Sequence, residues 1–261
     1  MSGNLSVEAQ ERYRFIRDLL LADMEPPARI VELGAAPGDQ IAALADLGYA
    51  ATAIDIGIGA DDWADGERGR MADLLDQAKV THVQWDLEAT PYPLADESFD
   101  AVIMTEVYEH LREYPVRSLL EVRRILRPGG RFYFTTPNAA YVMNRARLLL
   151  GRSVATPLHD WIGGLPHARH AREYTFGEVE ELFAHAGLRV CMSTSRHFHK
   201  STGKVRPLSR AMKQAIDIVS RFRPTLGPSI VVVATRGEDG PTPAGSAPSA
   251  ADRQAPLGRA R

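Results

Sequence analysis

The chain has 261 residues, of which 44% are apolar, and a formal net charge of −2. This length accommodates one large domain or two small ones, and so small a net charge gives no field that recruits nucleic acid; we therefore expect no nucleic-acid partner. The single cysteine, Cys191, excludes an internal disulfide and is typical of a reducing compartment. No apolar run reaches the roughly 18 residues of a membrane-spanning helix, and no apolar leader segment is evident, so we expect a cytoplasmic protein.

Helices and strands are predicted to alternate through the first half of the chain. Apolar residues at helical spacing, closed by glycine or proline, mark the helices, and short apolar runs mark the strands. The predicted order is helix 8–23, strand 28–35, helix 39–47, strand 49–56, a loop over 57–70 leading into a helix that ends near 78, strand 80–87, strand 99–107, helix 112–126 and strand 131–136. Because such alternation requires crossover connections, it predicts a parallel sheet covered by helices on both faces.

The pattern changes after Pro137. The predicted order here is helix 139–150, a long loop over 151–170, helix 175–186, strand 188–194, a basic insertion over 196–228 and strand 230–235. Thr175 and Glu178 have the spacing of a capping box at the start of their helix. Residues 237–261 are rich in proline, glycine, alanine and serine, which predicts a disordered tail. The expected organisation is one domain over 1–236, with a substrate loop region at 139–175, followed by that tail.

The turn after the first predicted strand reads GAAPGD, from Gly34 to Asp39. Two glycines around small residues indicate that a ligand approaches the main chain there, and the amides that follow Gly38 begin a helix. A phosphate-binding P-loop requires Gly-Lys-Ser/Thr, and the dinucleotide fingerprint requires GxGxxG, whereas this turn has GxxxG. Asp39 at the helix start would also repel a phosphate. The turn therefore favours a cationic or zwitterionic nucleoside without phosphate.

Acidic residues at the ends of the next strands fit such a nucleoside. Asp55 ends the second strand, where it can accept both ribose hydroxyls, and Asp86 ends the third, where it can accept from an adenine amino group. Glu32 adds negative charge for an ammonium or a sulfonium. Ligands of parallel sheets bind beyond the carboxyl ends of the strands, so these groups are expected at one edge.

Together these stretches resemble the class I S-adenosylmethionine-dependent methyltransferases, over about residues 10–236. IVELGAAPGD resembles the family's first motif, AIDI its ribose-binding strand end, and VQWDLEATPYPLADESFDAVIMTEVYEHL its adenine-contact segment and fourth strand. LRPGGRFYFTTPN resembles the entry to the fifth strand. EVYEHL and HAREYTFGEVEELFAHAGL are most similar to the small-molecule branch, which includes the ubiquinone-biosynthesis methyltransferases.

The resemblance implies a seven-stranded, mostly parallel Rossmann-like sheet with helices on both faces and an antiparallel last strand. It implies S-adenosylmethionine as the cofactor and no metal. The implied cofactor-binding residues are Glu32, Gly34, Ala36, Gly38, Asp55, Ile56, Asp86, Leu87 and Glu106.

The first motif departs from the family's commoner form, which has glycine where this chain has Ala36. GAAPG resembles the ribosomal RNA 2′-O-methyltransferases instead, but those depend on a lysine near the fourth strand, and none occurs here. The Asn/Asp-Pro-Pro-aromatic sequence of the amino-group methyltransferases is also missing from that strand. A small-molecule acceptor is therefore expected.

Four histidines are candidates for a base that assists methyl transfer to a hydroxyl. His110 follows the fourth strand and His170 precedes the capped helix, and these two are the predicted catalytic residues. A structural role stays open for both, in which His110 would merely open the helix near 112. His159 and His167 are interpreted as solvated loop residues.

Aromatic and basic side chains complete the set of candidates. Trp161 and Tyr174 are predicted to wall the substrate pocket or to pack as lids over the core. Tyr13 and Arg14 either cover the methionine carboxylate or only pack their helix, and Arg172 pairs either with a substrate acid or with a nearby glutamate.

Residues 207–223 of the insertion form a predicted basic amphipathic helix, with its apolar face at Leu208, Met212, Ala215, Ile216, Val219 and Phe222. Such a helix either packs on its own domain or a partner subunit, or contacts a membrane or a lipid-linked substrate. The chain is expected to be a monomer or a homodimer.

Three hypotheses of function follow. The leading one is a methyltransferase that acts on a hydroxyl of a small molecule, with a sugar, lipid-linked or natural-product acceptor. The second is a noncatalytic, regulatory protein of the same fold that binds the nucleoside without turnover. The third, an NAD-dependent oxidoreductase, is disfavoured by the GxxxG spacing.

Overall fold

The computed structural model describes residues 7–56, 65–155, 158, 162, 169–198 and 207–237. The strands are β1 Arg29–Leu33, β2 Ala50–Asp55, β3 Thr81–Gln84, β4 Phe99–Thr105, β5 Leu126–Pro137, β6 Leu188–Arg196 and β7 Ser229–Arg236. The helices are α1 Val7–Asp23, α2 Asp39–Asp46, α3 Asp65–Gln77, α4 Val116–Ile125, α5 Val142–Leu149, α6 Phe176–His185 and α7 Pro207–Phe222. Short 3-10 turns span Tyr108–His110 and Pro224–Leu226.

The seven strands form one sheet in the order β3-β2-β1-β4-β5-β7-β6. Neighbours from β3 to β5 are parallel, whereas β7 runs antiparallel to both β5 and β6. The predicted fold class, including the antiparallel last strand, is confirmed. Strand β1 lies at the centre, where Ile30 pairs with Ala51 of β2 on one side and Ala101 of β4 on the other.

Two apolar clusters cover the two faces of the sheet. In β1, Val31 and Leu33 belong to one cluster and Ile30 to the other, because alternate side chains of a strand point to opposite faces. The first cluster includes side chains of α4 and α6, and the second includes side chains of α1, α2 and α3. Burial on both faces explains why the strands read as unbroken apolar runs.

Two element boundaries differ from the prediction for identifiable reasons. The predicted helix over 112–126 begins only at Val116, after Tyr114 adopts a φ of 48° and Pro115 a φ of −58°. Proline suits the start of a helix because its missing N–H needs no partner there, so Pro115 sets the boundary. The fifth strand begins earlier than predicted, at Leu126, and continues through the two glycines at 129 and 130.

The amphipathic helix of the insertion is present as α7, and its predicted apolar face is buried in part at the described positions. Ile216 and Ser220 are buried, whereas Val219 and Phe222 are 46% and 82% exposed. The side chains of Leu208 and Met212, which belong to the same predicted face, lie outside the described residues. In the part of the chain that the structure describes, no helix combines the length and the apolarity that crossing a bilayer requires. The predicted tail from 238 onward lies outside the described residues.

Candidate active site

A crevice is positioned at the carboxyl ends of the central strands. β1 and β4 are neighbours, and the chain order runs outward from them in opposite directions, toward β3 on one side and β5 on the other. Loops that leave such a pair diverge above the sheet, so a ligand can enter between them. The turn after β1, the end of β2 and the turn after β4 all lie at this edge.

The turn after β1 is shaped by its two glycines. Gly34 and Gly38 have φ angles of +72° and +92°, which residues with a side chain rarely adopt. A Cβ on Gly34 would lie 2.5 Å from Val107 Cγ2, and a Cβ on Gly38 would lie 3.3 Å from Met71 and Leu75. The missing side chains are thus explained by backbone shape and by the protein's own packing. Approach of a ligand to this main chain stays a prediction.

Asp55 at the end of β2 is held beside that turn. Its Oδ2 accepts a hydrogen bond from the backbone N–H of Ala36 at 3.1 Å, and the residue is 8% exposed. The next residue, Ile56, is 56% exposed. A fixed carboxylate next to an exposed apolar side chain is the arrangement that a ribose and its base require.

Polar groups without hydrogen-bond partners line the start of α2 and the end of β1. Among the described residues, Glu32 Oε2, Asp39 Oδ2 and Gln40 Nε2 are buried and make no hydrogen bond. Burial, opposed by the charge of Arg12, raises the pKa of Glu32 well above its usual value. Unmade hydrogen bonds in a buried setting are costly, so these atoms are well placed to receive a polar ligand.

Arg12 of α1 is a candidate that the sequence reasoning missed. Its charge acts on both Glu32 and Glu109, and its Nε is buried and makes no hydrogen bond within the described structure. The neighbouring Tyr13 lies close enough to Glu32 that burial and this carboxylate raise the pKa of Tyr13 to about 12. Arg14, the predicted residue, instead forms an ion pair with Glu11 at 3.2 Å and is 55% exposed. Only α1's orientation, which the sequence did not provide, distinguishes the two arginines.

The residues predicted to contact the adenine follow β3. Asp86 is exposed and its Oδ1 accepts from the backbone N–H of Glu88 at 2.9 Å, so this carboxylate also shapes the turn. Leu87 is buried, and its carbonyl oxygen accepts hydrogen bonds from Tyr92 and Ser118, each at 3.1 Å. The hydrogen bonds to Leu87 hold the segment to α4.

Glu106 lies in the turn after β4 with a φ of +55°. Its Oε1 accepts from Thr135 Oγ1 at 2.8 Å, and its N–H donates to the Thr135 carbonyl at 3.0 Å. These two bonds fix the turn after β4 against β5, and the next residue, Val107, packs on Gly34 of the turn after β1.

The two predicted catalytic histidines are brought together. The rings of His110 and His170 meet edge to face with centroids 5.0 Å apart. His110 Nδ1 lies 3.1 Å from the Arg169 carbonyl oxygen, and His170 Nδ1 lies 2.9 Å from Glu173 Oε1. His110 is part of the 3-10 turn at 108–110 and does not open a helix near 112, and its catalytic role stays a prediction.

Glu109 is the third member of this cluster and was not a candidate. It is 1% exposed, and its Oε2 accepts from Thr136 Oγ1 at 3.0 Å. Burial, followed by the charge of Glu106, raises the pKa of Glu109 well above its usual value. Its Oε1 lies 4.0 Å from His110 Nε2. The adjacent Glu-His pair was visible in the sequence as EVYEHL, but burial of the glutamate was not.

A cavity of about 750 Å³ lies between the start of α4 and α6, and its described lining includes neither His110 nor His170. Leu111 and Ala171, the chain neighbours of the two histidines, contribute to its wall together with Tyr174. Tyr174 is 2% exposed and packs on Tyr108, with ring centroids 5.1 Å apart. Arg172 pairs with Glu178, one of the predicted alternatives. Three further candidates, Trp161, His159 and His167, lie outside the described residues.

These features define a class of protein: a doubly wound α/β fold with an acidic crevice at the carboxyl ends of its central strands. The chain also matches a family model described as "Methyltransferase domain" over residues 7–192. The chain therefore belongs to the methyltransferase domain family. The predicted resemblance to the class I methyltransferases is confirmed, and S-adenosylmethionine as the cofactor is confirmed at the level of that family.

Individual relatives carry different acceptors in their names. The chain is 30% identical over 202 residues to a demethylmenaquinone methyltransferase of Beutenbergia cavernae, covering 76% of this chain and 79% of that protein. It is 32% identical over 177 residues to a malonyl-[acyl-carrier protein] O-methyltransferase of Geobacter sulfurreducens, covering 67% and 60%. The match to a relative from Mycolicibacterium smegmatis covers about half of that protein's length, 49%.

A solved structure supports the fold. The 1,6-didemethyltoxoflavin-N1-methyltransferase of Burkholderia thailandensis, determined with its substrate and S-adenosylhomocysteine, is similar with a TM-score of 0.56 and 17% identity. The similarity covers 87% of this chain and 78% of that one. At this identity the likeness concerns the arrangement of strands and helices.

Proposed function

We propose that this chain transfers the methyl group of S-adenosylmethionine to a hydroxyl group of a small molecule. The observation that carries the proposal is the pairing of His110 with His170 next to the acidic crevice, with ring centroids 5.0 Å apart. A sulfonium methyl is already a good electrophile, so the protein mainly has to align the acceptor and help it lose a proton.

The cofactor half of the site is assigned from the crevice. Asp55 accepts the ribose hydroxyls, Ile56 and Leu87 enclose the adenine, and Asp86 accepts from its amino group. The amides of the turn from Gly34 through Ala36 to Gly38 approach the methionine portion. Glu32 and Glu106 supply negative charge near the ammonium and the sulfonium.

Arg12 completes this half by binding the methionine carboxylate. A guanidinium can form two parallel hydrogen bonds with a carboxylate, and the buried Nε of Arg12 makes no hydrogen bond in the described structure. Its charge acts on both Glu32 and Glu109, so the two buried acids favour a cation at this place. This assignment replaces the predicted Arg14.

The acceptor half is assigned to the cavity beside Tyr174. His110 and His170 are the side chains that promote loss of the acceptor's proton, and Tyr174 and Trp161 are proposed as walls of the pocket. Oxygen, carbon and nitrogen acceptors all occur among the similar proteins, which include proteins named an O-methyltransferase, a C-methyltransferase and an N1-methyltransferase. The histidine pair favours a hydroxyl because an alcohol or phenol must be deprotonated as it attacks.

Contact with a lipid-linked acceptor or a membrane surface is proposed for helix α7. Ile218 and Phe222 are 57% and 82% exposed, and Arg221 stands between them on the exposed side. Exposed apolar side chains next to arginine suit the boundary of an anionic bilayer. Sedimentation with anionic vesicles should be lost in Phe222→Asp, whereas equal binding by that variant would contradict the contact.

The test of the function is a transfer assay with methyl-labelled S-adenosylmethionine and a panel of phenols, sugars and hydroxylated lipids. We expect label in a methyl ether, identified by its NMR shift, and no label with Asp55→Ala. Label on carbon or nitrogen would contradict the hydroxyl assignment. Tight binding of S-adenosylhomocysteine without transfer to any acceptor would instead favour the noncatalytic alternative.

The boundaries of the functional unit are also a proposal: residues 1–236 as the catalytic domain, with 139–175 shaping the acceptor pocket. A chain shortened to 1–236 should keep full cofactor affinity and activity. Loss of either would show that residues 237–261 contribute to the site.

A further inference from the structure

A buried glutamate, Glu109, lies in one cluster with the two histidines. One ligand atom from each of Glu109, His110 and His170 lies within 4.8 Å of the other two. Two imidazoles and one carboxylate are the donor set that binds first-row divalent ions while leaving coordination positions open for a substrate. Stabilisation of a proton alone does not require the buried carboxylate.

The buried carboxylate is the independent observation. Glu109 is 1% exposed, and its Oε1, which faces His110 at 4.0 Å, makes no hydrogen bond among the described residues. The other oxygen, Oε2, is held by Thr136 at 3.0 Å, so the carboxyl group is oriented with Oε1 toward the histidines. A buried carboxylate oxygen without a partner is costly unless a cation or a donor compensates it.

Both imidazoles are oriented in the way that metal-binding histidines are. His110 Nδ1 can donate to the Arg169 carbonyl oxygen at 3.1 Å, and His170 Nδ1 to the carboxylate of Glu173 at 2.9 Å. When Nδ1 carries the proton, Nε2 is the nitrogen with a lone pair. A metal-binding histidine commonly has its other nitrogen held by a carbonyl or a carboxylate, which fixes the ring and increases its basicity.

We propose that Glu109, His110 and His170 bind a first-row divalent metal ion, such as Zn²⁺ or Co²⁺, which holds the acceptor oxygen next to the cofactor. Bonds of about 2.0–2.2 Å to such an ion would bring the ligand atoms about 1 Å closer together than they lie here. The histidine side chains are each 31% exposed and have room for that movement.

The ion defines how the acceptor becomes nucleophilic, and this step rests on the proposed function. A hydroxyl that binds the ion loses its proton to water more readily, because the positive charge stabilises the oxyanion. The oxygen's electron pair then forms the new O–CH₃ bond, while the S–CH₃ bond breaks and its electrons stay on sulfur. The products are the methyl ether and S-adenosylhomocysteine. An acceptor with two neighbouring oxygens, such as a catechol, can occupy two open positions of the ion.

The test uses the full chain, stripped with EDTA and titrated with Co²⁺, whose visible absorption reports its coordination. We expect one equivalent to bind, and Glu109→Gln and His170→Ala each to weaken binding at least about 100-fold. Glu173→Gln, which removes only a positioning carboxylate, should weaken it about 10–100-fold. His82→Ala changes an exposed histidine of the edge strand β3 and is the matched control.

The possible results distinguish a failure of the metal site from a failure of the proposed function. Absence of Co²⁺ binding to the wild type, or equal binding by Glu109→Gln and His82→Ala, would overturn the metal site. Every variant must give the circular dichroism spectrum of the wild type and a cooperative transition in urea, which shows that it is folded. Methyl-ether formation that persists in EDTA contradicts the metal site alone. A bound ion without transfer to any hydroxyl contradicts the proposed function alone.

Discussion

Replacing Asp55 by alanine tests the assigned ribose contact. Two hydrogen bonds from ribose hydroxyls to a carboxylate are worth about 1.5–3 kcal/mol each. Their loss therefore costs about 3–6 kcal/mol, which weakens binding about 10²–10⁴-fold at 1.4 kcal/mol per factor of ten. The change also removes the 3.1 Å hydrogen bond from Ala36 N–H, which holds the turn beside the crevice.

The assay is calorimetry with S-adenosylhomocysteine, using two further variants. Asp55→Asn keeps an oxygen that can accept from Ala36 but lacks the charge, so its affinity should lie between those of wild type and Asp55→Ala. Asp73→Ala changes an exposed acid of α3 and should bind like the wild type. Unchanged affinity in Asp55→Ala would refute the ribose role, and an equal loss in the Asp73 variant would show that general negative charge is responsible.

Three other predictions concern the methionine end and the capping box. Arg12→Ala should weaken S-adenosylhomocysteine binding about 10–150-fold, the value of one charge-assisted hydrogen bond, whereas Arg14→Ala should not; the reverse result would restore the sequence-based assignment. Thr175→Ala should lower the free energy of unfolding in urea by about 1 kcal/mol, because it removes the side-chain cap of α6; an unchanged midpoint would contradict that role. The backbone N–H and hydroxyl of Thr175 and the Arg172 side chain lower the pKa of Glu178, so its stabilising effect is present above the ordinary value of 4.5 and is lost as the pH falls below it. Glu178→Gln should therefore be less stable than wild type at pH 7, and the two proteins should converge in acid; a constant difference would argue against linkage.

Local signals in the sequence were sufficient for much of the fold. The capping box at Thr175 and Glu178 is present with both reciprocal hydrogen bonds, because its geometry depends on four consecutive residues only. Alternation of strands and helices predicted the parallel sheet for a similar reason, since each crossover is a local unit. The start of α4 was missed because Pro115, which looked like a helix interior residue, is in fact at its boundary.

Residues that depend on the orientation of a helix were harder to predict. Arg12 and Arg14 are two positions apart on α1, and only packing of that helix against the sheet decides which one faces the crevice. The same limit explains α7, where Ile216 packs inward and Val219 does not. An amphipathic pattern defines a stripe, but neighbouring elements decide where that stripe is covered.

Some residues of the candidate site could be predicted from the sequence, and others could not. Asp55 and the GAAPG turn follow directly from strand ends, which meet at one edge of a parallel sheet, and they are adjacent in the structure. The pairing of His110 with His170 joins residues 60 positions apart, and each was proposed separately. Glu109 was missed because the sequence places it next to His110 but says nothing of its burial. Gly34 was explained by a ligand, although Val107 accounts for its missing side chain.

A crystal structure with S-adenosylhomocysteine tests the central claim most directly. We expect the adenosine at the carboxyl ends of β2 and β3, with both ribose hydroxyls on Asp55 and the adenine beside Ile56 and Leu87. The sulfur should face the cavity beside His110 and His170. A nucleoside bound elsewhere, or a sulfur directed away from those histidines, would contradict the account.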